Sequence, residues 1–202
     1  GSVFLTKYAM AAVLKVTGEV SGATTVVPHG VDTRFANPPR KPKPLESYCK
    51  QKPFQLLYVS NVNVYKHQWR VAEAVASLRM RGYPVALDLI GAAFPPSLKR
   101  LQRVMNKADR EGSFIRYLGS SPHDELPARY ASADACVFAS SCENLPNILL
   151  EGMASGLPIA CSDRGPMPEL LGDSAVYFNP ELQSSIEDAL EILMNSPELR
   201  QK

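Results

Sequence analysis

From residue 55 onward the chain repeats one pattern: a short apolar run, then a stretch with apolar residues at helical spacing. The runs at 55–59, 85–90, 114–118, 135–138, 158–161 and 175–178 predict strands. The stretches at 66–81, 96–109, 124–132, 146–155, 166–171 and 185–194 predict the helices that follow them. The strand runs are continuous and not alternating, as expected when helices cover both faces of a sheet. Strand–helix repetition of this kind predicts an α/β fold with a Rossmann-like, doubly wound parallel sheet. Such sheets bind ligands beyond the carboxyl ends of their strands. The informative loops are therefore 60–65, 91–95, 119–123, 139–145 and 162–165. Upstream, Leu5, Tyr8, Ala9, Ala12, Val13 and Val16 have helical spacing over 4–16, and Gly18 ends that helix. Residues 24–27 form a short β-prone run stopped by Pro28, and the proline-rich, basic stretch 37–44 reads as an exposed loop.

Composition narrows the function classes. The chain has 202 residues, enough for one good-sized core or for one domain plus a fragment of another, and its 45% of apolar residues is ordinary for a soluble globular protein. No apolar run approaches the roughly 20 residues of a membrane span. Basic and acidic residues number 22 and 20, too even a balance for nucleic-acid binding. Cys49, Cys136, Cys142 and Cys161 contain no C-x-x-C pair. Three of the four lie in apolar segments and read as buried, reduced thiols of a cytoplasmic protein. His29, His67 and His123 are too scattered to suggest zinc. Gly1-Ser2 reads as the scar of an expression tag, and a start without Met, directly in a helical pattern, as a piece of a longer chain.

The loop after 135–138 runs Ala139-Ser140-Ser141-Cys142-Glu143-Asn144-Leu145, and a helix is expected to begin near Pro146. The N–H groups of Asn147, Ile148 and Leu149 would be free there, and free N–H groups together with the helix dipole make an anion site suited to a diphosphate. Glu151, one turn in and among apolar neighbours, needs partners, and a vicinal diol could provide them. Glu143 could reach a sugar beyond the phosphates. Lys66 stands at an expected helix start, where a cation makes sense if an anion is bound. Gly91 follows a strand directly and permits a tight turn or close approach of a ligand. Ser121, before Pro122, fits a helix cap. No G-x-G-x-x-G, P-loop, G-x-S-x-G or D-x-D pattern occurs.

In combination these segments resemble one family. Val26-Val27-Pro28-His29-Gly30-Val31-Asp32 is similar to the V-I-P-N-G-V-D segment that opens the C-terminal domain of GT-B glycosyltransferases of family GT4, glycosyltransferase group 1. Tyr58-Val59-Ser60-Asn61 with Lys66 resembles Y-V-G-R-L-…-K-G, and Leu89-Ile90-Gly91 and Tyr117-Leu118-Gly119 match the next two strand ends. Glu143 to Glu151 is the E-x7-E motif, continuing through Gly152 to Asp163 as in E-A-M-A-x-G-x-P-V-V-x-S-D, with Pro168-Glu169 as the later P-E. The resemblance covers residues 24 to about 195.

It implies the nucleotide-sugar-binding half of a retaining glycosyltransferase that uses no metal and takes a UDP-, GDP- or ADP-sugar as donor. Lys66 would neutralise the diphosphate and Glu143 would contact the transferred sugar; these two are the catalytic candidates. Backbone groups of Asn144, Leu145, Asn147 and Ile148 would hold sugar hydroxyls and phosphates. Glu151 would bind ribose, with Gly91 and Ser121 near ribose and base. Three departures are visible. Ser60-Asn61 replaces Gly-Arg and removes one cation from the phosphate grip. His67 replaces a glycine. Asn144-Leu145-Pro146 replaces G-F-G, and Pro146 removes an N–H from the donor loop. By the same resemblance, 1–23 would comprise the tag scar and the last helix of an otherwise missing acceptor-binding domain, and 24–202 the donor domain. An epimerase-like or glycogen-synthase-like enzyme and a non-catalytic binding module are the alternatives. The basic segment Arg40-Lys41-Pro42-Lys43 reads as a solvated loop, with peripheral contact to an anionic membrane face as its other reading.

Overall fold

The apolar runs form a six-stranded parallel sheet in the computed structural model, which describes residues 1–38 and 40–201; Pro39, within the proline-rich loop, and Lys202 lie outside them. The strands are β3 (Phe54–Val59), β4 (Val85–Ile90), β5 (Ile115–Tyr117), β6 (Ala135–Phe138), β7 (Ile159–Ser162) and β8 (Val176–Phe178), in the spatial order β5-β4-β3-β6-β7-β8. Nearly every residue of β3, β4, β6 and β7 is buried, which is why their sequences show no alternation. The chain starts mid-sheet at β3, winds outward to β5, returns to β6 and winds outward again, so the sheet is doubly wound. β3 and β4 pair in register from Phe54↔Val85 to Val59↔Ile90, and β3 meets β6 through Leu56↔Ala135 and Leu57↔Cys136.

The helices are α2 (Gln68–Met80), α3 (Pro95–Ala108), α4 (Leu126–Ser132), α5 (Asn147–Ala154), α6 (Met167–Leu171), α7 (Gln183–Asn195) and α8 (Pro197–Gln201). α2 lies on β4 between α3 and α7, and Trp69, Val71, Val75 and Leu78 bury its inner stripe. α4 ends against Arg40, whose guanidinium donates to the carbonyls of Ala131, Tyr130 and Ala133 at 2.7, 3.2 and 2.7 Å. The last carbonyls of a helix lack intrahelical donors, so Arg40 caps this one. Arg40 stays exposed, in the loop expected there, while its guanidinium is engaged by the fold.

The first 26 residues hold the expected helix, ended at Gly18, and the expected β-prone run, together with a strand that was not expected. Ser2–Phe4 is a strand, β1, paired in parallel with β2 (Thr24–Val26), with Ser2 opposite Thr24. Helix α1 spans Lys7–Thr17 and begins three residues later than its apolar spacing suggests. Thr6 caps it, accepting from the Ala9 N–H at 3.0 Å. None of its residues is buried, and Val16 is 86% exposed, so its apolar stripe is largely uncovered among the described residues. Its N-terminus is nonetheless held. The Glu169 carboxylate accepts from the N–H groups of Lys7 and Tyr8 at 2.7 and 2.8 Å, and the buried Thr6 hydroxyl donates to the Asn144 carbonyl at 3.2 Å. A carboxylate at a helix N-terminus is stabilised by both the free N–H groups and the dipole.

Among the cysteines, Cys136 and Cys161 are buried, and burial pushes the Cys136 thiol up to about 12. Cys142 and Cys49 are exposed, so two of the four cysteines are buried and not three. No helix among the described residues is long and apolar enough to cross a membrane.

Candidate functional site

Strand order reverses between β3 and β6, and the loops leaving these two strands, 60–67 and 139–146, face each other across the resulting crevice. Tyr58 joins them from below. Its hydroxyl donates to the Lys66 carbonyl at 2.6 Å and accepts from the Ala139 N–H at 3.1 Å. Burial raises the Tyr58 phenol well above its ordinary range, so it stays neutral and serves both roles. Ser141 adds a second tie, its N–H donating to the Tyr65 carbonyl at 2.8 Å. In the sequence Tyr58 stands out only as part of a motif; its bridging role depends on Ala139, 81 residues further along the chain. Tyr58→Phe leaves a buried N–H and carbonyl unpaired. It is expected to lose about 2 kcal/mol, a fall of roughly 4–8 °C in melting temperature for a domain of this size, measurable by thermal unfolding.

The helix expected over 66–81 is broken at its start. Val64–Lys66 is a 3-10 turn, His67 adopts the left-handed conformation at φ 49°, and α2 begins at Gln68. His67 is the one non-glycine residue with positive φ among the described residues. A left-handed backbone is where glycine has least strain, which gives a physical reason for the glycine that the resembling motif has there. The imidazole compensates by a contact of 2.9 Å between Nε2 and Ser141 Oγ and by edge-on packing against Trp69. Burial lowers its pKa.

Lys66 is buried, and its ammonium forms an ion pair with Glu143. It also lies 5.1 Å from the centroid of the Phe138 ring and 5.2 Å from that of Tyr65. The cation near the helix start is thus explained without a bound anion: its partner is the first glutamate of the E-x7-E motif. Glu143 is itself only 14% exposed, so each charge is the other's main compensation.

Helix α5 begins one residue later than expected. Pro146 is its N-cap, and Asn147 is the first helical residue. Leu149 is not free: its N–H donates to the Pro146 carbonyl at 3.0 Å. Among the described residues, the N–H groups of Asn147 and Ile148 have no acceptor, so two of the three expected donors remain.

Glu151 is buried one turn further on. Its Oε1 lies 3.2 Å from His123 Nε2, and its Oε2 accepts from the Tyr130 hydroxyl at 3.2 Å. The need for partners at Glu151 is legible in the sequence, whereas His123, 28 residues away, carries no local mark of being one of them.

A cleft of about 360 Å³ collects Ser60, Asn61, Lys66, Gly91, Ser121, Ile148 and Glu151. Glu143, Asn144, Leu145, Pro146 and Asn147 lie outside its lining, on the loop that leads into α5. Ser60 is buried, and its hydroxyl has no partner among the described residues. Asn61 is exposed. Ser121 does not cap the following helix; its hydroxyl donates to the Glu125 carboxylate at 3.0 Å. A separate groove of about 270 Å³, lined by Met153, Leu171 and Leu193, contains none of the expected residues. Among the described residues, no three His, Cys, Asp or Glu side chains converge as a metal site would require.

The family model for glycosyl transferases group 1 matches residues 40–202, and the chain belongs to that family. It is 38% identical over 80 residues to the O-antigen chain mannosyltransferase B of Escherichia coli, which covers 40% of this chain and 21% of that protein. It is 31% identical over 164 residues to the GDP-mannose-dependent alpha-(1-6)-phosphatidylinositol monomannoside mannosyltransferase of Mycolicibacterium smegmatis, covering 76% of this chain and 42% of the relative. The chain therefore spans less than half the length of these relatives. Its fold is that of one half of GT-B enzymes. Anabaena HepE, solved in complex with UDP and glucose, superposes with a TM-score of 0.81 at 17% identity, over 98% of this chain and 54% of that one. WaaG, a glycosyltransferase of lipopolysaccharide biosynthesis, gives 0.76 at 20% identity, over 98% and 55%.

Proposed function

We propose that this chain is the donor-binding half of a retaining, metal-independent glycosyltransferase that moves a sugar from a nucleoside-diphosphate sugar to an acceptor. The observation that carries the reading is the arrangement at the β3/β6 reversal. A buried lysine and two unpartnered N–H groups of a helix N-terminus flank a loop carboxylate, and a second buried carboxylate lines the adjoining cleft. In the proposed reaction the bond from the anomeric carbon to the diphosphate oxygen breaks, and the leaving diphosphate carries the electron pair. The acceptor hydroxyl oxygen bonds to the same face of the anomeric carbon, and its proton passes to the departing diphosphate oxygen. The negative charge then develops where Lys66 and the α5 N-terminus can receive it, which is preorganised electrostatic stabilisation. Glu143 would contact the departing sugar, and Glu151 would hold the ribose diol. Retention rests on the family resemblance.

The same reading assigns residues 1–23 to the end of an acceptor-binding domain in the full-length protein, with a cytoplasmic setting. Lys41 and Lys43 would be free to meet an anionic membrane face, since Arg40 is committed to α4.

Calorimetric titration of this chain with UDP, GDP and ADP tests the site. Saturable binding of at least one is expected, accompanied by a rise in melting temperature. At a hundredfold excess over Kd the stabilisation is about 2.7 kcal/mol. Absence of binding by all three would overturn the reading.

A further inference from the structure

We infer that His123 is a positioning residue for the nucleoside half of the donor: it fixes the Glu151 carboxylate so that the ribose diol meets two open acceptor positions. This inference rests on the assignment of Glu151 to the ribose. An ionised carboxylate has about four acceptor positions, two on each oxygen. His123 occupies one on Oε1 and Tyr130 one on Oε2, both at 3.2 Å. One position on each oxygen is left, which is the number a vicinal diol needs.

The two protein donors are not equivalent. Tyr130 has a single hydroxyl hydrogen, and the Ile148 carbonyl stands at the same 3.2 Å from its oxygen as Glu151 does. That hydrogen is shared. A carboxylate only accepts, so the His123 Nε2–H must donate, and it has no competing acceptor among the described residues. His123 is thus the undivided donor to Glu151.

The imidazole is also held in place. Phe35, fully buried at the end of a 3-10 turn, meets the His123 ring edge-on at 5.3 Å and the Tyr130 ring at 5.6 Å. One aromatic ring therefore braces both donors. His123 remains 56% exposed at its side chain, on the wall of the cleft with Glu151. A histidine serving only the core would have no reason to face that cleft.

The test compares binding of UDP, GDP and ADP with their 2′-deoxy counterparts. Wild type is expected to favour the ribonucleotide of whichever base binds by about tenfold, the value of one charge-assisted hydrogen bond. His123→Ala should bring that ratio close to one while leaving the affinity for the deoxy form nearly unchanged. His123→Gln, which keeps an N–H donor, should restore part of it. Adding His123→Ala to Glu151→Gln should remove nothing further. A purely structural role would instead weaken ribo- and deoxynucleotides alike, and that result, or an unchanged ratio, would overturn the inference. Wild-type binding without ribose preference would overturn both this inference and the role of Glu151. No binding of any nucleotide would overturn the donor-site reading itself.

Discussion

Gly91→Ala is expected to destabilise the domain by about 3 kcal/mol or more, through a backbone collision that cannot relax. A Cβ on Gly91 would stand 2.2 Å from the Ser60 carbonyl oxygen, 2.5 Å from its carbon and 3.0 Å from the Asn61 nitrogen. The backbone there has φ +145°, a conformation that L side chains rarely adopt. Neither strand end can yield easily. The Gly91 N–H donates to the Gly119 carbonyl at 2.8 Å, its carbonyl accepts from the Tyr117 hydroxyl at 2.8 Å, and the Ser60 N–H donates to the Ile90 carbonyl at 2.8 Å. The melting temperature should fall by roughly 6–12 °C, and nucleotide affinity should fall with it, because Ser60 and Asn61 are displaced. A variant melting within a degree or two of wild type would show that the close approach is not required.

The second large effect concerns the Lys66–Glu143 pair. Lys66→Ala is expected to weaken nucleoside diphosphate binding by about a hundredfold, the loss of a cation bonded to phosphate oxygens in a partly desolvated site. It should also destabilise the domain by about 2 kcal/mol, since a half-buried carboxylate loses its counter-charge. The two effects can be separated. Adding Glu143→Gln removes the orphaned charge and should return much of the stability but none of the affinity. Glu143→Gln alone has the opposite sign for binding: with its competing carboxylate gone, Lys66 is free for the ligand, and affinity should rise several-fold. Calorimetric titration and thermal unfolding of the four proteins decide the matter. Equal affinity of wild type and Lys66→Ala would remove Lys66 from the site.

The fold was legible because a buried parallel strand needs little besides an apolar run, and six such runs lie between helical stretches. The E-x7-E placement was legible for the same reason: a strand end and a helix start bracket it. What escaped the sequence depends on contacts between distant residues or on single dihedral angles. Nothing local to Lys66 indicates that Glu143, 77 residues away, is its partner. Tyr58 as a bridge and His123 as a donor to Glu151 are likewise visible only once the strands are in order. The left-handed turn at His67 was hidden because histidine stands where glycine would have announced it. Strand β1 was missed because three residues, one of them assigned to a tag scar, carry too little pattern. The exposed stripe of α1 shows the limit of periodicity: it reports that a face is apolar, not that anything within reach covers it.

Helix α1 lies between the paired strands β1 and β2. Among the described residues, its hydrogen bonds to the rest of the domain are those that Glu169 and Thr6 make at its first turn. From Thr6 the 11-residue helix runs about 16 Å, at 1.5 Å per residue. The Thr6 hydroxyl on the Asn144 carbonyl joins that helix, with its exposed apolar stripe, to the residue beside Glu143.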